Sequence, residues 1–194
     1  DLWATYLLGI TYEAGDGVKQ DLAKAFECFM KASEAEFSGA QFRIGRALLR
    51  GHGVPKNKPA GVKWLLKAAN AGHTDAMIVL GATLMSGDGV AVNYNLGASW
   101  FQKAADLGNA EAMHELATFY IEGDGVEANP DKVKHWMFKA AALGQEQAVE
   151  WVNENYPDQP DWLQNLKKGV QELPDPDKTS TDDVTKPEDK DTTE

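Results

Sequence analysis

Ala40, Ile44 and Leu48 recur at i, i+4 and i+8, an interval that places them on one stripe of an α-helix. Gly45 beside them lets another backbone approach closely. The same pattern returns every 36 residues: Leu8-Gly9, Ile44-Gly45, Leu80-Gly81 and Leu116-Ala117 keep the step, as do the small residues Ala4, Ala40, Ala76, Ala112 and Ala148. Each stripe runs into a glycine turn, at Gly15-Asp16-Gly17-Val18, Gly51-His52-Gly53-Val54, Gly87-Asp88-Gly89-Val90 and Gly123-Asp124-Gly125-Val126. The first glycine of each turn predicts a helix stop in the left-handed conformation, and the second allows the chain to reverse.

Asp21, Asn57, Asn93 and Asn129 follow the turns at a constant distance, and each is a good N-cap for a second helix. Pro130 fits the first position of the last of these, where a missing N–H costs nothing. The second helix carries Trp64, Ala68 and Ala71, or Trp100, Ala104 and Leu107, at helical spacing, and stops near Gly72, Gly108 and Gly144. Lys31-Ala32, Lys67-Ala68, Lys103-Ala104 and Lys139-Ala140 also hold the period; Trp64, Trp100 and Trp136 share one position, which Cys28 takes in the first unit. Each unit therefore reads as a helix hairpin. One hairpin cannot bury its apolar face alone, so the expected fold is all-α: a right-handed superhelical solenoid of stacked hairpins sharing one core.

The pattern A-x-x-x-L-G-x-x-Y-x-x-G-x-G-V, then an N-cap, then W-x-x-K-A-A-x-x-x-G, resembles the Sel-1-like repeat family, relatives of the tetratricopeptide repeats. Ala4 to Gly144 matches it in four units, and the departures Cys28, Ser33 and Glu36 make the first unit the least regular. A fifth first-helix begins after Gly144 on Ala148, Val152 and Tyr156, and Pro157 and Pro160 replace its glycine turn. Asp161 is expected to cap a last helix with Trp162, Leu163, Leu166 and Val170 on its apolar face, closing a repeat domain over residues 1–173. Residues 174–194 hold eight acids against three lysines, with three prolines and Val184 as the sole large apolar residue, and read as a disordered acidic tail.

Composition narrows the partners. A formal net charge of −11 repels phosphate backbones and anionic membranes, which argues against nucleic acid and lipid surfaces. No apolar run approaches the roughly 20 residues of a spanning helix, so membrane insertion is not expected. The sequence opens at Asp1 rather than at a methionine, a start compatible with removal of a signal, so the compartment stays open, and its single cysteine, Cys28, neither requires nor excludes an oxidising one. The family resemblance implies bacterial envelope, secretion or host-interaction settings, and a periplasmic or secreted location is placed ahead of a cytoplasmic one.

Searched for catalytic chemistry, the sequence assembles none. Gly97-Ala98-Ser99-Trp100-Phe101 lacks the second glycine of a nucleophile elbow, and His114-Glu115 is followed by Thr118 where a zinc-protease helix needs histidine. His52, His73, His114 and His135 are dispersed, and the Gly-Asp-Gly-Val turns lack the alternating oxygen ligands of a calcium loop, so no metal or cofactor is expected. Cys28 reads as a small buried hydrophobe, and the recurrent Trp and Tyr positions as core. What the resemblance implies is an adaptor or scaffold without catalytic activity. An immunity-type inhibitor subunit of a partner enzyme is the alternative, with a cell-wall hydrolase behind both.

All three arginines, Arg43, Arg46 and Arg50, fall within QFRIGRALLR, at i, i+3 and i+7, on the side of the helix opposite Ile44. In stacked hairpins the first helix of each unit lines the concave surface. Leu7, Ile10 and Ala14 then flank the ridge on one side, and Val79, Ala82 and Ser86 on the other, followed by Glu115, Thr118 and Glu122. Tyr6, Phe42, Ile78, Met85, His114 and Ile121 are expected beside them as an exposed apolar and aromatic band. Arginine's planar fork grips carboxylates with two hydrogen bonds, so the expected partner is another protein, engaged through an acidic segment by a monomeric chain. The competing expectation is that these arginines pair with acids of neighbouring repeats on a solvated face. A further expectation sets the acidic tail along the same groove as a weak internal competitor, with a solubilising extension or a linker as the alternatives.

Overall fold

The computed structural model describes residues 1–157. The capping helix expected from Asp161 and the acidic tail lie outside them. Nine α-helices and no strand occur among the described residues: α1 Leu2–Ala14, α2 Leu22–Ala32, α3 Ser38–Arg50, α4 Lys58–Asn70, α5 Thr74–Ser86, α6 Tyr94–Asp106, α7 Ala110–Glu122, α8 Pro130–Ala142 and α9 Glu146–Asn155. A short 3-10 turn, Ser33–Ala35, joins α2 to α3.

The helices begin and end where the repeated caps place them. Gly15, Gly51, Gly87 and Gly123 stop the first helices in the left-handed conformation. At Gly51 the freed carbonyl of Ala47 accepts from the N–H groups of Gly51 and His52, at 2.7 and 3.0 Å. The chain then crosses to Asp21, Asn57, Asn93 or Asn129, whose carboxylate or amide oxygen accepts from the backbone N–H three residues on, at 2.9–3.1 Å. Each cap contributes about 1 kcal/mol. Asp21 is held below the ordinary carboxylate pKa, chiefly by the hydrogen bond from the Lys24 N–H.

The helices pair as hairpins α1–α2, α3–α4, α5–α6 and α7–α8, and each second helix also packs on the first helix of the next unit. Ala40, Ile44, Leu80, Leu116, Ala148 and Val152 are at most 2% exposed. In the second helices the buried stripe is Gly61, Leu65 and Ala68 on α4 and Gly97, Phe101 and Ala104 on α6. Ala71 and Leu107, expected on that stripe, are exposed, because α4 and α6 end at Asn70 and Asp106 and the two residues stand outside the last turn as C-caps.

The recurrent tryptophan has a repeated partner three residues on. Lys67, Lys103 and Lys139 place their ammonium groups over Trp64, Trp100 and Trp136, at 4.5, 3.9 and 4.8 Å from the ring centroids. Cys28 differs from its expectation: it is half-buried rather than buried, and its thiol pKa is raised chiefly by the burial it does have. Glu36, standing where Gly72, Gly108 and Gly144 stand in later units, adopts a positive φ of 55°.

Candidate functional site

The stripe of α3 opposite Ile44 carries Arg43, Arg46 and Arg50; the first two are half-buried and the third exposed. Val79, Ala82 and Ser86 take the same positions on α5, and Leu7, Ile10 and Ala14 on α1; all six are half-buried or exposed. The arginines therefore stand on a continuous accessible stripe of first helices.

Their environments differ. Arg43 forms an ion pair with Glu13 at the end of α1, and its guanidinium lies 6.0 Å from the Phe29 ring. Arg46 lies over the ring of Phe42 at 5.4 Å. Neither Arg46 nor Arg50 has a carboxylate partner within ion-pair distance among the described residues. Burial, then the charges of Arg50 and Arg43, hold Arg46 below the ordinary arginine pKa, against the opposing pull of Glu13 and Asp75. Pairing with neighbouring repeats thus accounts for Arg43 alone.

The apolar band beside the ridge needs correcting. Phe42 is 7% exposed, part of the core and stacked on His73 with ring centroids 4.6 Å apart. Met85 is half-buried and packs over Gly97 of its own hairpin, so it supports the α5–α6 contact. Position on the helix wheel does not expose them: the start of the next unit, at His73, covers Phe42 on α3, and the hairpin partner, at Gly97, lies against Met85 on α5. Tyr6 is half-buried in an aromatic cluster with Trp3 and Phe37, its ring 5.6 and 5.1 Å from theirs. Ile78 is half-buried against the main core. His114 is half-buried too, and its Nδ1 lies 3.6 Å from the adjacent carboxylate of Glu115.

Three residues that the sequence did not single out complete the surroundings. Glu13 holds Arg43, and its signal was the contrast with Leu49, Met85 and Ile121 at the same repeat position. His52 stands where the other three turns carry Asp16, Asp88 and Asp124. His73 caps α5: its Nδ1 accepts from the Ala76 N–H at 3.3 Å, as Asn109 Oδ1 does from Ala112 N–H at 2.9 Å one unit later.

His73 makes stability depend on pH. Only the neutral imidazole can accept the Ala76 N–H, and burial, helped by Arg43 and opposed by Asp75, lowers the His73 pKa below 6.5. Between the lowered folded value and the unfolded one the unfolded chain binds more protons, so this contribution is complete above about pH 6.5 and is lost as pH falls. The denaturation midpoint should drop more between pH 7.5 and 5.5 for the parent chain than for His73→Asn, which keeps a cap but does not titrate. Equal drops in the two proteins would remove His73 from the pH response.

Among the described residues no group of histidine, cysteine and carboxylate side chains could hold a metal ion, and no helix is long and apolar enough to cross a membrane. The arrangement offers a surface for binding. A family model described as Sel1 repeat matches residues 4–37, 38–73, 74–109 and 110–145. The crystal structure of a Sel1 repeat protein from Oxalobacter formigenes is similar at 30% identity and a TM-score of 0.76, covering 80% of this chain and 64% of that one. The protective antigen c5321 of uropathogenic Escherichia coli, which displays an SLR fold, gives the same identity, TM-score and coverage of this chain over 33% of its own length. Helicobacter pylori cysteine rich protein B is 26% identical at a TM-score of 0.55, with 70% of this chain and 98% of that one covered. The chain spans just under two thirds of the first of these structures and one third of the second. No curated protein matches it significantly.

Proposed function

Because the chain belongs to the Sel1 repeat family, whose members are generally protein-interaction scaffolds, we propose that it is a non-catalytic adaptor whose first-helix stripe binds an acidic segment of another protein. The observation that carries this reading is that Arg46 and Arg50 stand on an accessible stripe without a carboxylate partner within ion-pair distance among the described residues. Two guanidinium forks on successive turns suit carboxylates spaced along one strand or helix of a partner, and the charge-assisted pair on half-buried Arg46 gains from its partial desolvation. A chain of net charge −11 repels acidic partners at long range, so selectivity rests on this local cationic surface. Arg43, tied to Glu13, orients the ridge and contributes less.

The test uses residues that the repeat itself supplies. Arg43→Val, Arg46→Ala and Arg50→Ser together install the side chains of Val79, Ala82 and Ser86, which the same helix position already accepts. A partner is identified by quantitative affinity capture from the native host, purified, and titrated against parent and variant, with circular dichroism verifying both folds. The variant is expected to bind about 100-fold more weakly, the equivalent of two charge-assisted hydrogen-bonded pairs. Equal affinities would reduce the ridge to a solvated face and overturn the reading.

A further inference from the structure

The departures from the repeat plan are not scattered. Glu13, Arg46 and His52, which replace an apolar, a small and an acidic residue of later units, line one notch between α1, α2 and α3, together with Leu22, Ala25, Phe26, Phe29 and Ala47. Ala25, Phe29 and Ala47 form its buried floor, and Leu22 and Phe26 are half-buried walls. One unit on, Leu22 and His52 correspond to Lys58 and Asp88, which form an ion pair across the junction. At the first junction Leu22 and His52 cannot form that pair, and the ion pair that crosses it is Arg43 with Glu13. An aspartate at residue 52 would place a carboxylate on the rim with Arg46. Histidine there leaves Arg46 without one, because the rim's single acid, Glu13, is engaged by Arg43.

We propose that this notch is the anchor of the binding surface: it receives a branched aliphatic side chain of the partner segment while a carboxylate beside that side chain pairs with Arg46. The proposal rests on the reading of the stripe as an acidic-segment site and names the partner's chemistry at one point of it. Charge complementarity selects the occupant, since Arg46 lines a notch with an apolar floor and has no carboxylate within ion-pair distance among the described residues. Size favours a small tip: the notch has about 20 Å³ of space, little more than one water-sized sphere, which suits a methyl group.

The probes are two peptides, acetyl-Ser-Asp-Leu-Asp-Ser-amide and its Leu→Gly counterpart, titrated into the full ¹⁵N-labelled chain and into His52→Asp. That variant restores the residue of the other turns and is expected to fold as the parent does. The leucine peptide should bind the parent about tenfold more tightly than the glycine peptide, the gain from burying a methyl-bearing tip. Its amide shifts should centre on Leu22, Ala25, Ala47 and His52, and His52→Asp should weaken both peptides. Equal binding of the two peptides, with shifts along α3, would overturn the anchor and leave the acidic stripe standing. Unchanged affinity in His52→Asp would overturn the assignment of the rim. The absence of shifts with either peptide would overturn the stripe together with the anchor.

Discussion

Gly125→Ala should destabilise the chain by about 3 kcal/mol or more, whereas Gly17→Ala, the same substitution at the same position of the first turn, should cost about 1 kcal/mol. Both glycines have a positive φ, 72° and 70°, so the penalty for a Cβ in the left-handed region is common to both. They differ in what lies beyond them. A Cβ on Gly125 would overlap the carbonyl of Tyr94 and stand 3.0 Å from the Asn95 nitrogen. At Gly53 the same atom would overlap the Leu22 carbonyl, with the Ala23 nitrogen 2.7 Å away, and at Gly89 it would overlap Lys58. The second glycine of the second, third and fourth turns is thus the point where one unit rests on the start of the preceding unit's second helix. Gly17 has nothing within 4 Å of the added atom. Backbone cannot yield as a side-chain tip can, so Gly125→Ala forces the two units apart. Denaturant unfolding of both variants checks this, and similar costs would mean that φ alone, rather than the contact between units, selects glycine in these turns.

That contrast shows where the sequence was informative. The 36-residue step carries its own punctuation: glycine for the stop, Asn or Asp for the restart, an apolar stripe between them. Each signal acts within a few residues, so helix order and hairpin pairing follow without knowledge of distant contacts. The stripe bearing Arg43, Arg46 and Arg50 was legible for the same reason, since it lies opposite a core position already fixed by the period. What spacing within one helix cannot reveal is which flank a neighbouring unit covers. Phe42 reads as exposed until His73 is placed against it, and Met85 until Gly97 opens space beneath it. Glu13 and Arg43 lie 30 residues apart, and their pairing required the stacking register. Comparing the units with one another would have marked Glu13 and His52, because each breaks a position that the remaining units agree on.

Leu116→Ala should cost about 2–5 kcal/mol and Leu8→Ala less than about 1 kcal/mol, although the two leucines occupy one repeat position. Leu116 has no exposed surface, and its equivalents Ile44, Leu80 and Val152 are at most 2% exposed, because the second helix of the preceding unit covers each of them. Truncation there removes the transfer free energy of three carbons and leaves a cavity that close-packed neighbours close only in part. Leu8 is 45% exposed, and Leu2, Trp3 and Leu7 of the same helix are also exposed by 39% or more. No second helix precedes α1 among the described residues, so truncating Leu8 empties space already open to solvent. Urea unfolding of the two variants measures the difference. A large cost at Leu8 would mean that α1 is covered in solution by a surface absent from the described residues, and the comparison would then report on that covering as directly as on the core.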